Sequence, residues 1–597
     1  MKNRMRIDTY LSAVFRKNLK ATGSGAKRLL PVLFLTFSLC FGQTMPAMAE
    51  SEDAENIELT EAESASGTEI AEATEFAETE TNTDVMVQGS ETESVSNEEI
   101  TIDDNYRNYY EIFVYSFYDS DGDGIGDLNG VREKLDYIEE MGFDGIWLMP
   151  VMPSTTYHKY DVTDYYGIDE EYGTLEDFQA LVDECHARGI HVVIDFVINH
   201  TSSQHAWFQT ACEYLASLEE GEEPDESACP YVGYYHFSQT QESSNYYEIP
   251  VTGSQVWYYE GVFWSEMPDL DLSNEALRAE LEAIAAYWID MGVDGFRMDA
   301  ALHFEESDTS FNTEVLNWLY SYCLTLDADF YMVSEVWANE ATIADYYASG
   351  TPSMFNFDMA EAEGKLIKAA RGTLKVSSLI DSMIKWQEDF SAENPDYIDA
   401  AFISNHDTGR ISNALTSDEN DIKMAAGLLM TMSGNTFVYY GEEIGMKSKG
   451  SADENKRLPM YWSETDTTGM TDGPADAEEG IVSSFAAADE QLADETSILN
   501  YYKRAIALRK ENPEIARGTI EKVEELCDGN QGAILKTWED STIAILYNTS
   551  DEELEIELSG TALSGMEVSG YLTLNNEEIA LADDTAVMPA QSILVLR

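Results

Sequence analysis

The sequence predicts an α/β protein: a (β/α)8 TIM barrel with a small subdomain inserted after the third strand, followed by a C-terminal antiparallel β-sandwich. Three features of the chain predict it. Apolar runs typical of buried strands alternate with helix-like segments over several hundred residues, an aromatic-rich stretch interrupts the alternation once, and only short β-like runs follow residue 511. Such alternation indicates parallel βα units, and eight units closing into a barrel fit a chain of 597 residues.

The βα units can be followed through the residues that end their helices. One amphipathic helix ends at Gly142, a second begins after Thr174 and ends at Gly189, and a third ends at Gly292. A strand-like run follows each glycine. The predicted domain boundaries are a signal peptide at 1–49, an acidic disordered linker at 50–104, the barrel at 105–200 and 267–510, the inserted subdomain at 201–266, and the β-sandwich at 511–597.

Two regions outside the repeat have their own composition. The insertion contains an aromatic cluster, Trp257 to Tyr259 with Phe263 and Trp264, which fits a small core as well as a surface that stacks on sugar rings. It also holds Cys212 and Cys229, which could form a disulfide after export. The C-terminal region has apolar runs such as 542–547 and 592–596 between turn residues, and this pattern is typical of antiparallel strands.

The composition excludes one large class of partners. Asp and Glu number 113 against 34 Lys and Arg, which gives a formal net charge of -79 at pH 7. A surface this acidic repels phosphate backbones, so we expect no nucleic-acid partner. We expect the protein to be a monomer.

The N-terminus predicts export. Basic residues up to Arg28 precede the apolar run 29–41, and Ala47-Met48-Ala49 forms a small-x-small cleavage pattern. The apolar run is shorter than a membrane span, so we expect a secreted extracellular protein without a transmembrane span after processing. Residues 50–104 contain no Lys or Arg and few large apolar residues, which predicts a disordered linker that could keep the protein near a cell surface.

Three acidic residues follow buried-looking strands. Asp299 ends the run 293–298, Glu335 ends 332–334, and Asp407 follows 402–406. The carboxyl ends of barrel strands face one mouth, so these side chains are expected to meet there although they are far apart in sequence. Arg297 and His406 accompany these strand ends, and His200 follows a fourth buried-looking run, 194–198.

In order and spacing, these four strand-end segments resemble the signature segments of glycoside hydrolase family 13, the α-amylase family, and the resemblance extends from about Tyr109 to the C-terminus. It implies Asp299 as nucleophile, Glu335 as general acid/base and Asp407 as transition-state stabiliser. It also implies sugar-binding roles at the subsite of cleavage for Tyr160, His200, Arg297 and His406.

The implied chemistry is retaining hydrolysis of α-glucosidic bonds. This reaction needs one ionised and one protonated carboxyl group about 5 Å apart. Arg297 beside Asp299 favours the ionised form of that carboxyl, whereas a cluster of carboxylates favours a protonated Glu335.

A second motif, the acidic loop 119–127 (DSDGDGIGD), predicts a structural calcium site. Oxygen ligands at alternate positions, with glycines that let the loop curl, suit a hard cation. The ligands would be the side chains of Asp119, Asp121, Asp123 and Asp127 and the carbonyl of Ile125. The loop lacks the bidentate glutamate of a complete EF-hand, so we expect a stabilising ion and not a switch.

The sequence favours an endo-acting enzyme on starch or maltodextrins. Met267 to Asp271 resembles a family segment of intermediate type, between oligo-1,6-glucosidases and neopullulanases, and Tyr157 stands where exo-acting members usually carry an acidic residue. Leu302, where many amylases have lysine, and the segment 455–462 point the other way. The alternatives are an exo-acting α-glucosidase or oligo-1,6-glucosidase, a cyclomaltodextrinase-like enzyme, a transglycosylase or isomerase, and a non-catalytic α-glucan-binding surface protein.

Overall fold

The computed structural model describes residue 102, residues 104–478 and residues 480–597. The predicted signal peptide lies outside the described residues, and so does nearly all of the predicted acidic linker. Within the described part of the chain, none of the helices combines the length and apolar composition that crossing a membrane requires.

Eight parallel strands form the barrel, and three short strands between the third and fourth of them form a separate small sheet. In chain order the eleven strands are Asn108–Ile112 (β1), Gly145–Leu148 (β2), His191–Phe196 (β3), Phe237–Ser238 (β4), Tyr246–Glu248 (β5), Tyr258–Glu260 (β6), Gly295–Met298 (β7), Tyr331–Ser334 (β8), Ser353–Met354 (β9), Ala400–Phe402 (β10) and Asn435–Tyr439 (β11).

The barrel strands lie in the order β10-β11-β1-β2-β3-β7-β8-β9, and every pairing between them is parallel. A parallel bridge between Phe355 and Ala400 joins the two ends of this sheet, so the strands form a nearly closed barrel. The predicted barrel is therefore confirmed.

Helices connect the barrel strands and cover the outside. In chain order they are Val114–Phe117 (α1), Leu128–Glu133 (α2), Leu135–Met141 (α3), Leu175–Ala187 (α4), Ala206–Ser217 (α5), Glu275–Asp290 (α6), Thr309–Leu326 (α7), Glu340–Tyr347 (α8), Lys365–Ala370 (α9), Val376–Glu393 (α10), Ile411–Ala414 (α11), Glu419–Met430 (α12), Ala488–Leu492 (α13), Ile498–Glu511 (α14) and Glu514–Arg517 (α15). Short 3-10 turns lie at Pro230–Gly233, Ala301–His303, Asp453–Asn455 and Glu524–Leu526.

The ends of these helices follow local sequence rules. Thr174 and Asp177 form a reciprocal capping box at the start of α4, which satisfies backbone N–H groups that would otherwise lack partners. Gly142 ends α3 with φ of 93°, a left-handed conformation that costs glycine little. The sequence predicted one continuous helix here, but the chain breaks at Lys134 into α2 and α3.

The inserted region forms a small subdomain of its own. Helix α5 packs beside the antiparallel sheet β4-β6-β5, and Trp257 and Tyr259 are buried. Phe263 and Trp264 remain exposed, so the aromatic cluster divides between core packing and surface. Cys212 and Cys229 are both buried, and they form no disulfide in the structure.

The C-terminal region consists of two antiparallel sheets around a second apolar core, as predicted. The strands are Thr519–Lys522 (β12), Gln531–Trp538 (β13), Ser541–Asn548 (β14), Leu554–Glu557 (β15), Val568–Leu572 (β16), Leu581–Ala582 (β17), Thr585–Met588 (β18) and Ser592–Leu596 (β19). One sheet has the order β12-β13-β14-β19-β16 and the other β15-β18-β17. Leu594 and Ile556 lie in the core between them.

Truncation of the second core is expected to destabilise the protein. Leu594→Ala removes a fully buried side chain, and such changes cost about 2–5 kcal/mol of the free energy of unfolding. Val587→Ala on the exposed face of β18 should change it by less than about 0.5 kcal/mol. Thermal unfolding followed by circular dichroism measures both, and equal shifts for the two variants would contradict the burial argument.

Candidate active site

The carboxyl ends of the barrel strands bring the three predicted acidic residues to one mouth. Asp299 directly follows β7 and Glu335 directly follows β8, and both side chains are largely buried. Asp407 lies five residues beyond β10 and is partly exposed. The mouth therefore holds three carboxyl groups that differ in how far water reaches them.

The buried guanidinium of Arg297 contacts two of these carboxyl groups, those of Asp299 and Glu335, and it also contacts Asp195 on β3. Arg297 on β7 is 1% exposed. Its Nη1 lies 2.5 Å from Oδ1 of Asp195 and 2.6 Å from Oδ1 of Asp299, and its Nη2 lies 3.2 Å from Oε2 of Glu335. Because a planar cation fixes the direction of each contact, the carboxyl groups of Asp299 and Glu335 are held close together at one end of one guanidinium.

The backbone that follows Asp299 also holds Glu335. Ala300 has φ of 49°, a left-handed conformation that is uncommon for alanine, and its N–H donates to Oε2 of Glu335 at 2.9 Å. The N–H of Ala301 donates to the carbonyl of Glu335 at 3.1 Å. The strained turn thus ties the ends of β7 and β8 together, as backbone outliers at functional sites often do.

Asp407 has its own pair of cations. Nη2 of Arg457 lies 2.6 Å from its Oδ1, and Nε2 of His406 lies 2.9 Å from its Oδ2. The other ring nitrogen of His406, Nδ1, lies 2.7 Å from Oε1 of Glu111 on β1, and both residues are buried. A chain of charges therefore runs from β1 across to the loop after β10.

These surroundings shift the pKa values of Glu335 and Asp407 in opposite directions. Burial raises the pKa of Glu335; Arg297 opposes this, while the charges of Asp299 and Asp407 add to it. Burial also disfavours the ionised form of Asp407, but the positive charges of His406 and Arg457 outweigh it and hold its pKa well below the usual range. Glu335 thus tends to keep its proton, as a general acid must, while Asp407 stays ionised in the same mouth.

Tyr160 and His200 complete the predicted sugar-facing set. The Tyr160 hydroxyl lies 2.7 Å from Nε2 of His406, and the two rings stack with centroids 5.6 Å apart. His200, after β3, is buried, and its Nε2 has no hydrogen-bond partner among the described residues. That nitrogen is free to bind a ligand hydroxyl.

Four residues of this site were not among the predicted ones: Glu111, Trp147, Asp195 and Arg457. Asp195 lies inside β3 and accepts from Nε1 of Trp147 at 3.0 Å as well as from Arg297. A charged residue within an apolar strand is a signal for a buried ion pair, and it was present in the sequence at Asp195. Glu111 is likewise a charged residue inside a buried strand, since β1 spans Asn108–Ile112.

Leu302 and Phe263, two apolar residues near the mouth, differ in exposure. Leu302 is partly buried and packs against the main core, so it offers no charge where many amylases have lysine. Phe263 from the inserted subdomain is exposed and lies between the rings of His200 and His303, with centroid distances of 5.5 and 5.1 Å. The subdomain thus contributes an aromatic side chain to the mouth.

The acidic loop brings three of its predicted metal ligands together. Carboxylate oxygens of Asp119, Asp121 and Asp127 lie within 4.8 Å of one another, while Asp123 does not belong to this group. Asp123 instead accepts from the backbone N–H of Ile125 at 2.8 Å. Gly122 has φ of 88°, a conformation that suits glycine and lets the loop curl.

Known proteins of similar sequence belong to the same family that the strand-end segments resemble. Residues 111–518 match the family model for the alpha amylase catalytic domain. Alpha-amylase 3 of Dictyoglomus thermophilum is 37% identical over 447 residues, which cover 74% of this chain and 85% of that protein. The 4-alpha-glucanotransferase of Thermotoga maritima is 30% identical over 460 residues, which cover 75% and 97%.

Solved structures agree with the sequence relatives. Eubacterium rectale Amy13B superposes with a TM-score of 0.79 at 44% identity, covering 83% of this chain and 96% of that one. The alpha-amylase from H. orenii superposes with a TM-score of 0.70 at 34% identity, covering 82% and 99%.

Removal of the buried cation is expected to destabilise the protein in a pH-dependent way. Arg297→Met leaves Asp195 and Glu335 buried without the charge that lowers their pKa values, which should cost about 3–5 kcal/mol of the free energy of unfolding near neutral pH. Burial already raises the pKa values of these two carboxyl groups above their unfolded values, and without Arg297 they rise further. Stability is therefore retained at low pH, where they are protonated, and is lost as the pH increases.

Thermal unfolding of Arg297→Met and the parent protein between pH 5 and pH 8 measures this effect. Arg188→Met is the matched control, because Arg188 pairs with the exposed Asp136 and Glu139 and such pairs contribute about 0–1 kcal/mol. A difference in melting temperature that stays constant over this pH range would contradict the role assigned to the buried charge.

Proposed function

Because the chain belongs to the α-amylase family, glycoside hydrolases that act on α-glucans, we propose that it hydrolyses α-1,4-glucosidic bonds of starch or maltodextrins with retention of configuration. The observation that carries this proposal is the buried guanidinium of Arg297, shared by the carboxyl groups of Asp299 and Glu335. Retaining enzymes place their two carboxyl groups about 5–5.5 Å apart, and a shared cation enforces a short separation of this kind.

In the proposed reaction Asp299 attacks the anomeric carbon while Glu335 donates its proton to the leaving oxygen. The C–O bond to the leaving sugar breaks, and a covalent glycosyl ester with Asp299 forms. Glu335, now ionised, takes a proton from a water molecule as the water oxygen attacks the anomeric carbon. The ester bond to Asp299 breaks, and this second inversion restores the original configuration. The raised pKa of Glu335 favours the protonated form that the first step requires.

The other polar residues would act on the sugar at the point of cleavage. Asp407, kept ionised by Arg457 and His406, is suited to accept hydrogen bonds from ring hydroxyls as positive charge develops on the ring. Tyr160 presents an aromatic ring, and His200 presents a ring nitrogen without a partner. Arg297 would orient Asp299.

We also propose endo action and export. Tyr157 stands where exo-acting members usually carry an acidic residue, which favours an open cleft and supports cleavage within long chains. The N-terminal segment 1–49, with its basic, apolar and small-x-small parts, supports secretion.

A transferase is the second candidate, because the similarity to the 4-alpha-glucanotransferase of Thermotoga maritima covers 97% of that protein. The same glycosyl ester can react with water or with a sugar hydroxyl, so the two candidates differ in the acceptor and not in the carboxyl groups.

Incubation with soluble starch, maltotriose, isomaltose and pullulan, with products resolved over time, tests the proposal. Early mixed maltooligosaccharides indicate endo hydrolysis, glucose alone indicates exo action, and products longer than the substrate indicate transfer. Proton NMR of the first products should show the α-anomer, and a first-formed β-anomer would overturn retention.

Asp299→Asn is expected to lower kcat by several orders of magnitude, since the nucleophile is lost while the fold is kept. Asp290→Asn, an exposed aspartate at the end of α6, is the matched control and should retain kcat. Near-normal turnover by Asp299→Asn, with unchanged circular dichroism, would refute the assignment of the nucleophile.

We further propose that the acidic loop holds a structural Ca²⁺ ion. Asp119, Asp121 and Asp127 provide three converging carboxylates, and hard oxygen ligands of this kind suit calcium. The bound ion would supply charge neutralisation that keeps the loop folded against the start of α2, which Asp127 caps. Asp123, which lies outside this group of three, would bind after a shift of its side chain or through water, and the carbonyl of Ile125 stays a predicted ligand.

Removal of calcium by chelation is expected to lower the melting temperature, and added Ca²⁺ should restore it. A ligand at about 100 times its dissociation constant stabilises the folded state by about 2.7 kcal/mol. Asp121→Asn should lose this response, whereas Asp551→Asn, an exposed aspartate in the C-terminal region, should keep it. A melting temperature that is independent of calcium in the parent protein would refute the site.

A further inference from the structure

Two cavities outside the catalytic centre share one aromatic wall. The first, of about 450 Å³, is lined by Tyr157 and by residues 153–156 and 168–171. The second, of about 480 Å³, is lined by residues 123–125 of the acidic loop and by residues 472–475, 477, 478 and 480. Tyr115 lines both, and each volume falls within the range of roughly 300–1,000 Å³ that is typical of small-molecule sites.

The first cavity adjoins the catalytic centre through a short polar contact. Nη1 of Arg457 donates to the Tyr157 hydroxyl at 3.1 Å, while Nη2 of the same guanidinium holds Asp407 at 2.6 Å. Tyr157 therefore lines the cavity, and its hydroxyl group contacts the same guanidinium that holds Asp407. A chain that leaves the catalytic centre past Asp407 would enter this cavity next.

The order of the strands around the barrel indicates which part of a substrate would lie in this cavity. Going round the barrel in either direction, β1 is the fourth strand from β8, so the segment with Tyr115 lies across the mouth from Glu335. Glu335 would protonate the oxygen of the departing sugar, so the departing part of the substrate lies on its side. The retained, non-reducing part points towards the loops after β1 and β2.

The linings have the chemistry of a carbohydrate site. Tyr115 is partly exposed, and its ring stacks on the buried Phe113 with centroids 5.8 Å apart and planes 14° from parallel, which fixes its orientation. Its hydroxyl makes no hydrogen bond to another residue within 104–478 or 480–597. Glu171 lines the first cavity, and Asp123 and Asp472 line the second. Burial raises the pKa of the Tyr115 phenol, and the negative charges of these carboxylates lie close enough to raise it further. Such carboxylates accept hydrogen bonds from sugar hydroxyls.

We propose that the two cavities bind successive sugars of the non-reducing part of an α-glucan, and that Tyr115 is a specificity-determining residue that stacks on the chain between them. This inference rests on the proposed function and adds to it a preference for long substrates. A chain that reaches both cavities gains contacts that a trisaccharide spanning only the catalytic centre does not make.

Rates on maltotriose and maltoheptaose test the inference. Tyr115→Ala should lower kcat/KM for maltoheptaose by on the order of tenfold, since an aromatic contact contributes about this factor, and should lower it much less for maltotriose. With maltoheptaose labelled at its reducing end, the labelled products should become longer, because fewer sugars are held on the non-reducing side. Tyr115→Phe keeps the ring and should recover most of the preference.

Two further variants separate the cavities from a general loss of fold. Ala475→Trp places a large side chain in the second cavity from an exposed position, and it should reduce the preference for maltoheptaose without removing Tyr115. Tyr166→Ala removes an exposed tyrosine that packs on Tyr287 outside both cavities, and it should leave the ratio of the two rates unchanged. Circular dichroism confirms folding of each variant.

An equal loss on both substrates, or no loss on either, overturns the inference while leaving the proposed function intact, because the parent protein still hydrolyses both. An unchanged ratio in Ala475→Trp overturns the role of the second cavity. If the parent protein cleaves no member of the maltooligosaccharide series, the proposed function fails, and the inference fails with it.

Discussion

The burial of one guanidinium determines the geometry of the catalytic centre. Arg297 lies inside the barrel, where an unpaired charge would cost several kcal/mol, so anions must surround it. Asp195 from β3, Asp299 after β7 and Glu335 after β8 meet this need. The carboxyl groups that would perform the chemistry are therefore positioned by the same contacts that make the buried cation tolerable.

The distribution of positive charge then gives neighbouring carboxyl groups different protonation states. Glu335 shares Arg297 with two other carboxylates, and burial raises its pKa. Asp407 contacts two cations, Arg457 and His406. Burial lowers the pKa of His406, but the contacts with Asp407 and Glu111 outweigh burial and raise it to about 9. A single barrel mouth can thus hold an acid and an anion whose charges act on each other.

Sequence reasoning recovered the barrel and the strand-end residues because both follow local rules. Buried apolar runs mark the strands, and the ends of parallel strands must meet, which was enough to bring Asp299, Glu335 and Asp407 together. Glu111 and Arg457 were out of reach for a physical reason. Their partners are Asp407 and His406 on another part of the barrel, and neither the register of the strands nor the path of the loop after β11 can be read from local patterns. Asp123 remains a predicted ligand: the structure leaves its carboxylate outside the group formed by Asp119, Asp121 and Asp127, a detail of loop geometry that regular spacing does not reveal.

The C-terminal sheets support the strands that carry this charge network. Lys536 on β13 is buried and donates to the hydroxyl of Ser433 at 2.9 Å and to the carbonyl of Ile515 at 2.5 Å. Arg509 at the end of α14 donates to the carbonyls of Met430, Met432 and Gly434. These hydrogen bonds give partners to backbone carbonyl groups between α12 and β11. In the same segment, Gly434 lies so close to the backbone of Asp399 that no side chain fits there.

Asp399 directly precedes β10, and β11 pairs with β10 on one side and with β1 on the other. The positions of His406 and Glu111, which meet across these strands, therefore depend on this junction. The sheets lie outside the mouth, yet they are part of what keeps Asp407 paired with its cations.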